Sequence, residues 1–341
     1  MNVSVVIPTL DGGRMLLDCL SSFGADRDDI EVILVDNASS DGSVDQALER
    51  FPRIKVLRNE INRGYAPACN QGAGAATQEF VLFLNNDASL DRSQLDRMLE
   101  VASGDGQTAI WQPVTYGIDG SLEATGDHFT WWGIFQHLDA PPASSGATEV
   151  FSTVGAALLV RRDAFAALGG FEDSYFAYYE ESDLCWRARL AGWDVKVIAD
   201  ARVSHIGSST TGSVFEPHAV RYLAFRNRIR TNLSTPQRSS LWRIAPLHAI
   251  ACLGFVLFYL VTGRPRSSAS VLQAMWWSVG NRDVLAEQRR RTQALRQRSD
   301  REIFRRDLVT SFGPREIWRH LKRSYWFERA SDRVSDSRRR T

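Results

Sequence analysis

The chain has 341 residues, 44% of them hydrophobic, with a formal net charge of +1. That is enough chain for one or two packed domains, and it excludes a disordered or fibrous protein. The charge is uneven: Arg282 to Thr341 carry a net +9 and Met1 to Asn281 a net −8. An acidic body with a basic tail fits a metal-using enzyme near an anionic surface, and no nucleic-acid-binding motif accompanies the basic residues. Cys19, Cys69, Cys185 and Cys252 sit apart among apolar neighbours without a CxxC pair. They read as small buried hydrophobes of a reducing compartment, with no structural zinc. The chain opens on the strand-like run NVSVVIP, with no secretory signal pattern, so the active body is expected to be cytoplasmic.

The first hundred residues alternate strand and helix signals. VSVVIPTL (3–10) predicts a strand ending at Pro8-Thr9, and residues 13–23 a helix. EVILVDNASS (31–40) predicts a strand ending in polar residues, followed by a helix over 41–51. IKVLRN (54–59) predicts a third strand, 64–76 a helix of small residues and EFVLFLNND (79–87) a fourth strand. This βαβα order predicts an α/β fold with a mostly parallel, doubly wound sheet. Pro8-Thr9, Asp36-Asn37 and Asn85-Asn86-Asp87 should then converge at the carboxyl edge, where such sheets bind ligands. Residues 104–150 read as a loop-rich stretch over the pocket. Regular signals resume at 151–171, with a helix expected from Glu180 to Ala191, a strand over 193–199 and a flexible loop over 204–212. From Pro217 the pattern is helical, with 213–240 as a linking segment. No GxGxxG follows the first strand and no GxxxxGK[ST] occurs, which excludes the common dinucleotide and P-loop sites.

Two constellations carry chemistry. The buried run Val81 to Leu84 stops at Asn85-Asn86-Asp87, with no Lys or Arg beside the carboxylate. Such a group suits a hard divalent cation that carries phosphate oxygens; the plain alternative is a turn. In YFAYYEESDLCWRARLAGW (175–193), Glu180, Glu181 and Asp183 fall in a helix's first turn behind a run of aromatic residues. An ionised carboxylate there can act as general base toward a sugar hydroxyl. The plain alternative is capping, with acid–Arg pairs along the helix. His205, between a strand and a Gly/Ser/Thr loop, can complete a metal site with Asp87 or be an ordinary loop histidine.

The segments VSVVIPTLDGG, VILVDNASSDGS, NRGYAPACNQG, FLNNDA, GAALLVRRDAFAALGGFEDSYFAYYEESDLCWRARLAGW and SHIGSS, in this order, resemble the family 2 glycosyltransferases of the GT-A fold. The likeness is to their bacterial rhamnosyltransferase-like branch and covers roughly residues 1–235, including YLAFRNRIR at 222–230. The resemblance implies an inverting transfer of a sugar from a nucleoside-diphosphate sugar, with Mg²⁺ or Mn²⁺, to a hydroxyl of a glycan acceptor. It implies that Pro8, Thr9 and Asp36 line the base and ribose pocket and that Asn62, Arg63 and Gly64 approach the nucleotide sugar, with Asn70 supporting that helix. Asp87 is expected to bind the metal, with Asn85 and Asn86 beside it, and His205 to touch the metal or diphosphate. Glu181 stands at the catalytic base position, flanked by Glu180 and Asp183, and Arg226 with Asn227 is expected to close over donor or acceptor. Two departures stand out: Asn85 replaces the first Asp of the usual Asp-x-Asp, and Glu181 replaces the usual Asp, which leaves Glu180 and Glu181 both open as the base. A non-catalytic nucleotide-sugar-binding scaffold is the alternative reading.

Ala245 to Gly263 is the most apolar stretch, just long enough to span a membrane. A helix lying against the cytoplasmic leaflet, a true span and a buried core helix all fit it. The first is preferred, because Arg289-Arg290-Arg291 and the basic tail would stay on the anionic side. The expected organisation is a catalytic domain at 1–235, a helical membrane-associating region at 236–330 and a disordered basic tail at 331–341. A membrane-associated enzyme implies a lipid-linked glycan acceptor on the inner face of the plasma membrane.

Overall fold

The structure, a computed structural model, describes residues 2–142, 145–206, 216–305 and 307–310. The chain divides into two compact units, Met1–Asp127 with His137–Thr210, and His128–Gln136 with Thr211–Thr341. The expected tail at 331–341 and the loop residues 207–212 lie outside the described residues.

The first unit is built on strands β1 (Val3–Thr9), β2 (Glu31–Asp36), β3 (Lys55–Arg58) and β4 (Phe80–Leu84), with helices α1 (Gly13–Ser22), α2 (Ser43–Arg50) and α3 (Tyr65–Ala75) between them. All seven residues of β1 and all five of β4 are buried, as an unbroken apolar run in a strand covered on both faces requires. The three pairings β3–β2, β2–β1 and β1–β4 are parallel, as the βαβα alternation predicts. Helix α3 buries only Ala66, Ala68, Cys69 and Gly72, and these small side chains let it lie close on the sheet.

Beyond β4 the sheet turns mixed, with order β10-β12-β6-β11-β4. These strands are β6 (Thr108–Gly117), β10 (Ala147–Glu149), β11 (Ala157–Arg161) and β12 (Asp194–His205), and the short β5 (Ala88–Ser89) and β7 (Leu122–Ala124) pair at its margin. The ten-residue β6 corrects the loop-rich reading of 104–150. Its run TAIWQPVTYG is almost wholly buried, so no polar alternation marks it, and Pro113 argues against a central strand. Pro113 is accommodated because it faces Ile198 at the edge of a register shift in β12. That shift also carries β12 past the expected end at 199, on to His205. Around the sheet lie α4 (Arg92–Ser103), α5 (Arg162–Ala167) and α6 (Glu180–Leu190).

The second unit is mainly helical: α7 (Pro217–Ser234), α8 (Arg238–Val261), α9 (Pro265–Gly280), α10 (Arg282–Ala294) and the short α11 (Asp300–Ile303). Its core gathers Phe225 and Ile229 of α7, Cys252, Phe255, Val256 and Tyr259 of α8, and Val271 and Ala274 of α9. The segment read as a linker is thus largely helix α7. The hairpin of β8 (Asp127–Thr130) and β9 (Phe135–His137) contributes its tip to this unit, and β13 (Val309–Thr310) pairs with β8 there.

Candidate active site

The carboxyl ends of β1, β2 and β4 bring the three polar clusters together. Asn86 Nδ2 donates to Thr9 Oγ1 at 2.9 Å. Thr9 stands beside Asp36 in the parallel register, one step beyond Pro8 and Val35. Asp36 is 3% exposed; its Oδ1 accepts the Ser39 amide at 2.8 Å and its Oδ2 faces Arg58 at 3.5 Å. Gly12 closes over this group. A Cβ there would stand 2.7 Å from Thr9 Oγ1 and 3.0 Å from Asn86 Nδ2, so only glycine lets the β1–α1 loop pack so tightly. Asp11 Oδ1 accepts the Ser40 amide at 2.7 Å, which ties that loop to the one after β2.

Amide side chains carry the crevice onward. Asn37 Nδ2 donates to the Gly64 carbonyl at 3.1 Å, and Asn59 Nδ2 to Asn37 Oδ1 at 3.0 Å. Asn62 Oδ1 accepts the Gly64 amide at 2.9 Å, and Arg63 is exposed. Gly64 has φ +95°, and a Cβ would stand 2.6 Å from the Phe176 carbonyl oxygen, so the α3 start can meet the 176 turn only without a side chain. Asn70 spans the same junction: it donates to the Phe171 carbonyl at 2.8 Å and Asp173 at 2.7 Å and accepts the Phe171 amide at 2.8 Å.

Past β4, Asp87 is nearly buried and stands against His205, with Nε2 to Oδ1 3.2 Å. The antiparallel pair β5–β12 sets this contact by placing His205 opposite Ala88. The other ring nitrogen, Nδ1, lies 3.0 Å from Glu123 Oε2 on β7. Burial by itself would lower the His205 pKa, but the two carboxylates outweigh it and raise the ring above its ordinary value. Asn85 Oδ1 is buried with no hydrogen-bond partner. Among the described residues no group of three or more His, Cys, Asp and Glu side chains converges as a metal cage. One carboxylate and one imidazole in contact, two residues along from an orphaned amide oxygen, fit a cation that takes its remaining ligands from a phosphate and water.

At the other end of the crevice, α6 begins behind three aromatic residues with left-handed backbones: Phe176 at φ 67°, Tyr178 at 71° and Tyr179 at 70°. Each such conformation costs about 1–3 kcal/mol, and strain of this kind clusters at ligand sites. Glu180 is 4% exposed and its Oε2 has no partner. Burial, reinforced by the neighbouring Glu181 charge, pushes its carboxyl well above the usual range. Glu181 is half-buried; desolvation, with a smaller push from Asp127, raises it to about 7. Asp183, the third acid of this turn, makes a different set of contacts. Its Oδ2 accepts Arg187 Nε at 2.7 Å, and Tyr175 OH lies 3.4 Å from Oδ1, so it makes the acid–Arg pair expected along the helix. Arg226 belongs to the second unit, where it donates to Asn227 Oδ1 at 3.0 Å and lies over the Tyr222 and Trp277 rings.

Sequence reading missed Glu123, Asp127 and Tyr65. Glu123 and Asp127 lie in the stretch read as loop, and only the β6–β7 pairing brings Glu123 to His205. Asp127 is buried, paired with His137 Nδ1 at 2.5 Å and Ser152 Oγ at 3.2 Å. Tyr65, hydrogen-bonded to Cys69, lies within electrostatic reach of both glutamates. No local pattern marks any of the three.

Residues 4–169 match the family described as Glycosyl transferase family 2. That match spans just under half of the chain and supports a family 2 glycosyltransferase, so the chain is read as a glycosyltransferase. Its sequence is 29% identical over 274 residues to the N-acetylglucosaminyl-diphospho-decaprenol L-rhamnosyltransferase of Mycobacterium tuberculosis, covering 71% of this chain and 87% of that one. The likeness makes it rhamnosyltransferase-like, as the sequence motifs imply. The structure is similar to S. aureus TarS 1–349 in complex with UDP-GlcNAc, with 18% identity, TM-score 0.57 and coverage of 86% and 89%. It is also similar to GalNAc-T7 crystallised with UDP, GalNAc and Mn²⁺, with 17% identity and TM-score 0.56, covering 69% of this chain and about half, 48%, of that one. These likenesses establish the GT-A fold of the mixed sheet and its flanking helices.

Proposed function

We propose that this glycosyltransferase inverts configuration and depends on a divalent metal. It moves a sugar, with rhamnose the leading candidate, from a nucleoside-diphosphate donor to a hydroxyl of a growing, lipid-linked cell-surface polysaccharide. The work is done at the cytoplasmic face of the plasma membrane. The observation that carries the metal dependence is the Asp87–His205 contact at 3.2 Å, with Glu123 on the second ring nitrogen and Asn85 Oδ1 unpartnered. The rhamnose donor and the polyprenyl-linked acceptor are supported by the likeness to the mycobacterial L-rhamnosyltransferase.

Each end of the crevice has its own task. Thr9 and Asp36 hold the base and ribose, and the Asn62–Gly64 turn approaches the sugar. Asp87 and His205 would hold Mg²⁺ or Mn²⁺, which supplies neutralisation of charge on the leaving diphosphate. With the cation bound, Glu123 would hold the remaining His205 proton on Nδ1 and leave Nε2 to the metal beside Asp87. Glu180, desolvated and with Oε2 unpartnered, keeps its proton. That leaves Glu181, raised to about 7, to exchange protons near neutral pH. Glu181 takes the proton of the acceptor hydroxyl as its oxygen attacks the anomeric carbon opposite the diphosphate.

The test is a panel of dTDP- and UDP-sugars with and without Mn²⁺ or Mg²⁺, read by thermal shift and donor hydrolysis. Stabilisation by one donor that requires the metal is the expected result. Donor binding and hydrolysis indifferent to chelation would overturn the metal dependence.

A further inference from the structure

Helix α8 carries an uncharged stripe of exposed apolar side chains along its outer face. Ile250, Leu253, Leu257, Leu260 and Val261 follow one another at helical spacing, with Leu257 62% and Val261 87% exposed. Trp242, 85% exposed, stands near the start of the helix. No Asp, Glu, Lys or Arg occurs between Ile244 and Gly263. Helix α9 adds a second stripe of Leu272, Trp276 and Val279, with Trp276 76% exposed. A soluble monomer seldom leaves so long an apolar face to water.

The opposite face of α8 decides how it can meet a bilayer. Cys252, Phe255, Val256 and Tyr259 pack on α7 and α9. Helix α7 carries Arg221, Arg226, Arg228 and Arg230. Arg221 lies 4.8 Å over the Tyr259 ring and Arg228 5.4 Å over that of Phe255. A transmembrane placement of α8 would take these guanidinium groups into hydrocarbon with it, at a prohibitive cost. An in-plane placement immerses only the outer stripe and keeps the α7 arginines out of the hydrocarbon. The surrounding charge agrees: from Glu216 to Arg305 the chain carries sixteen Arg against five Asp or Glu. Where α8 ends, a cavity of about 310 Å³ is lined by Arg221, Arg264, Arg266 and Ser267. Three guanidinium groups beside a serine hydroxyl suit a phosphate.

We infer that α8 and α9 form a bilayer-docking surface, α8 lying in the membrane plane and the Arg221–Arg264–Arg266 cavity taking the phosphate of an anionic lipid headgroup. This rests on and deepens the reading of the enzyme as membrane-associated, and favours the half-immersed helix over a span.

The experiment is flotation of the full chain with vesicles of phosphatidylcholine alone or mixed with phosphatidylglycerol. Binding is expected to need the anionic lipid. Leu257→Glu should weaken it about ten- to a hundredfold, the effect of losing one buried leucine. Arg264→Gln with Arg266→Gln should reduce the preference for phosphatidylglycerol, and free inorganic phosphate should not compete vesicle binding away. Alkaline carbonate should release the wild-type chain from native membranes, and its retention would restore the spanning helix. Leu257→Glu binding like wild type, or acting only by dissociating a dimer, would overturn the docking surface. Donor-induced thermal shift of Leu257→Glu is expected to be unchanged. If instead no donor binds the wild type while vesicle binding behaves as described, the catalytic proposal falls and this one stands.

Discussion

The two ends of the crevice use the same chemical group under opposite conditions. At the β4 end, the Asp87 carboxylate has an imidazole 3.2 Å away, and that imidazole has a second carboxylate behind it. Two carboxylates flank one imidazole there, and the histidine pKa rises against its own burial. At the α6 end, burial acts on Glu180 and Glu181, and both carboxyls rise. In the proposed mechanism, environment alone would make one carboxylate a cation ligand and another a proton acceptor working near neutrality.

Four changes bear on that contrast, in falling order of expected effect. Asp87→Ala removes the carboxylate of the cation site. A metal supplies several kcal/mol to transition-state charge stabilisation, so kcat should fall about a thousandfold and donor affinity should lose its response to Mn²⁺. Unaltered Mn²⁺ dependence would break the comparison at its first end. Asp183→Ala strips a buried ion pair with Arg187 and should cost about 3–5 kcal/mol of stability in urea melts. Loss of turnover at full stability would instead give Asp183 a direct part in the reaction. Glu123→Gln should weaken Mn²⁺ binding by about ten- to a hundredfold, read by calorimetry or the Mn²⁺ resonance spectrum, because it no longer fixes the His205 ring.

The fourth concerns pH. Glu181 must be unprotonated to accept a proton, so kcat/KM should fall with acid below about pH 7, about tenfold per unit. The same raised carboxyl gives the folded state extra protons between its unfolded value and about 7. Stability from this source is present at low pH and lost as pH rises through about 7. Glu181→Gln should therefore raise the melting temperature at pH 8 more than at pH 5.

Much of this contrast is legible in the chain itself. The β1–β4 half follows from apolar runs that end in Thr9, Asp36 and Asn85-Asn86-Asp87, and from helices between them. The α6 acids are visible as a first-turn cluster. The mixed half of the sheet is not, because β6 is buried on both faces and carries Pro113, which mimics a loop. Glu123 and Asp127 escape for the same reason: their place depends on pairings that no local pattern encodes. Asp183 shows the converse. Its motif position suggests catalysis, while its spacing of four from Arg187 marks the ion pair it makes.

The most direct test sets Glu181→Gln beside Asp87→Ala and measures donor dissociation constant in Mn²⁺ together with turnover. Glu181→Gln should bind donor as wild type does and lose about 10²–10⁴-fold in kcat, while Asp87→Ala loses metal-dependent donor binding as well. Near-normal turnover in Glu181→Gln, or donor binding lost equally in both variants, would contradict the division of labour between the two ends.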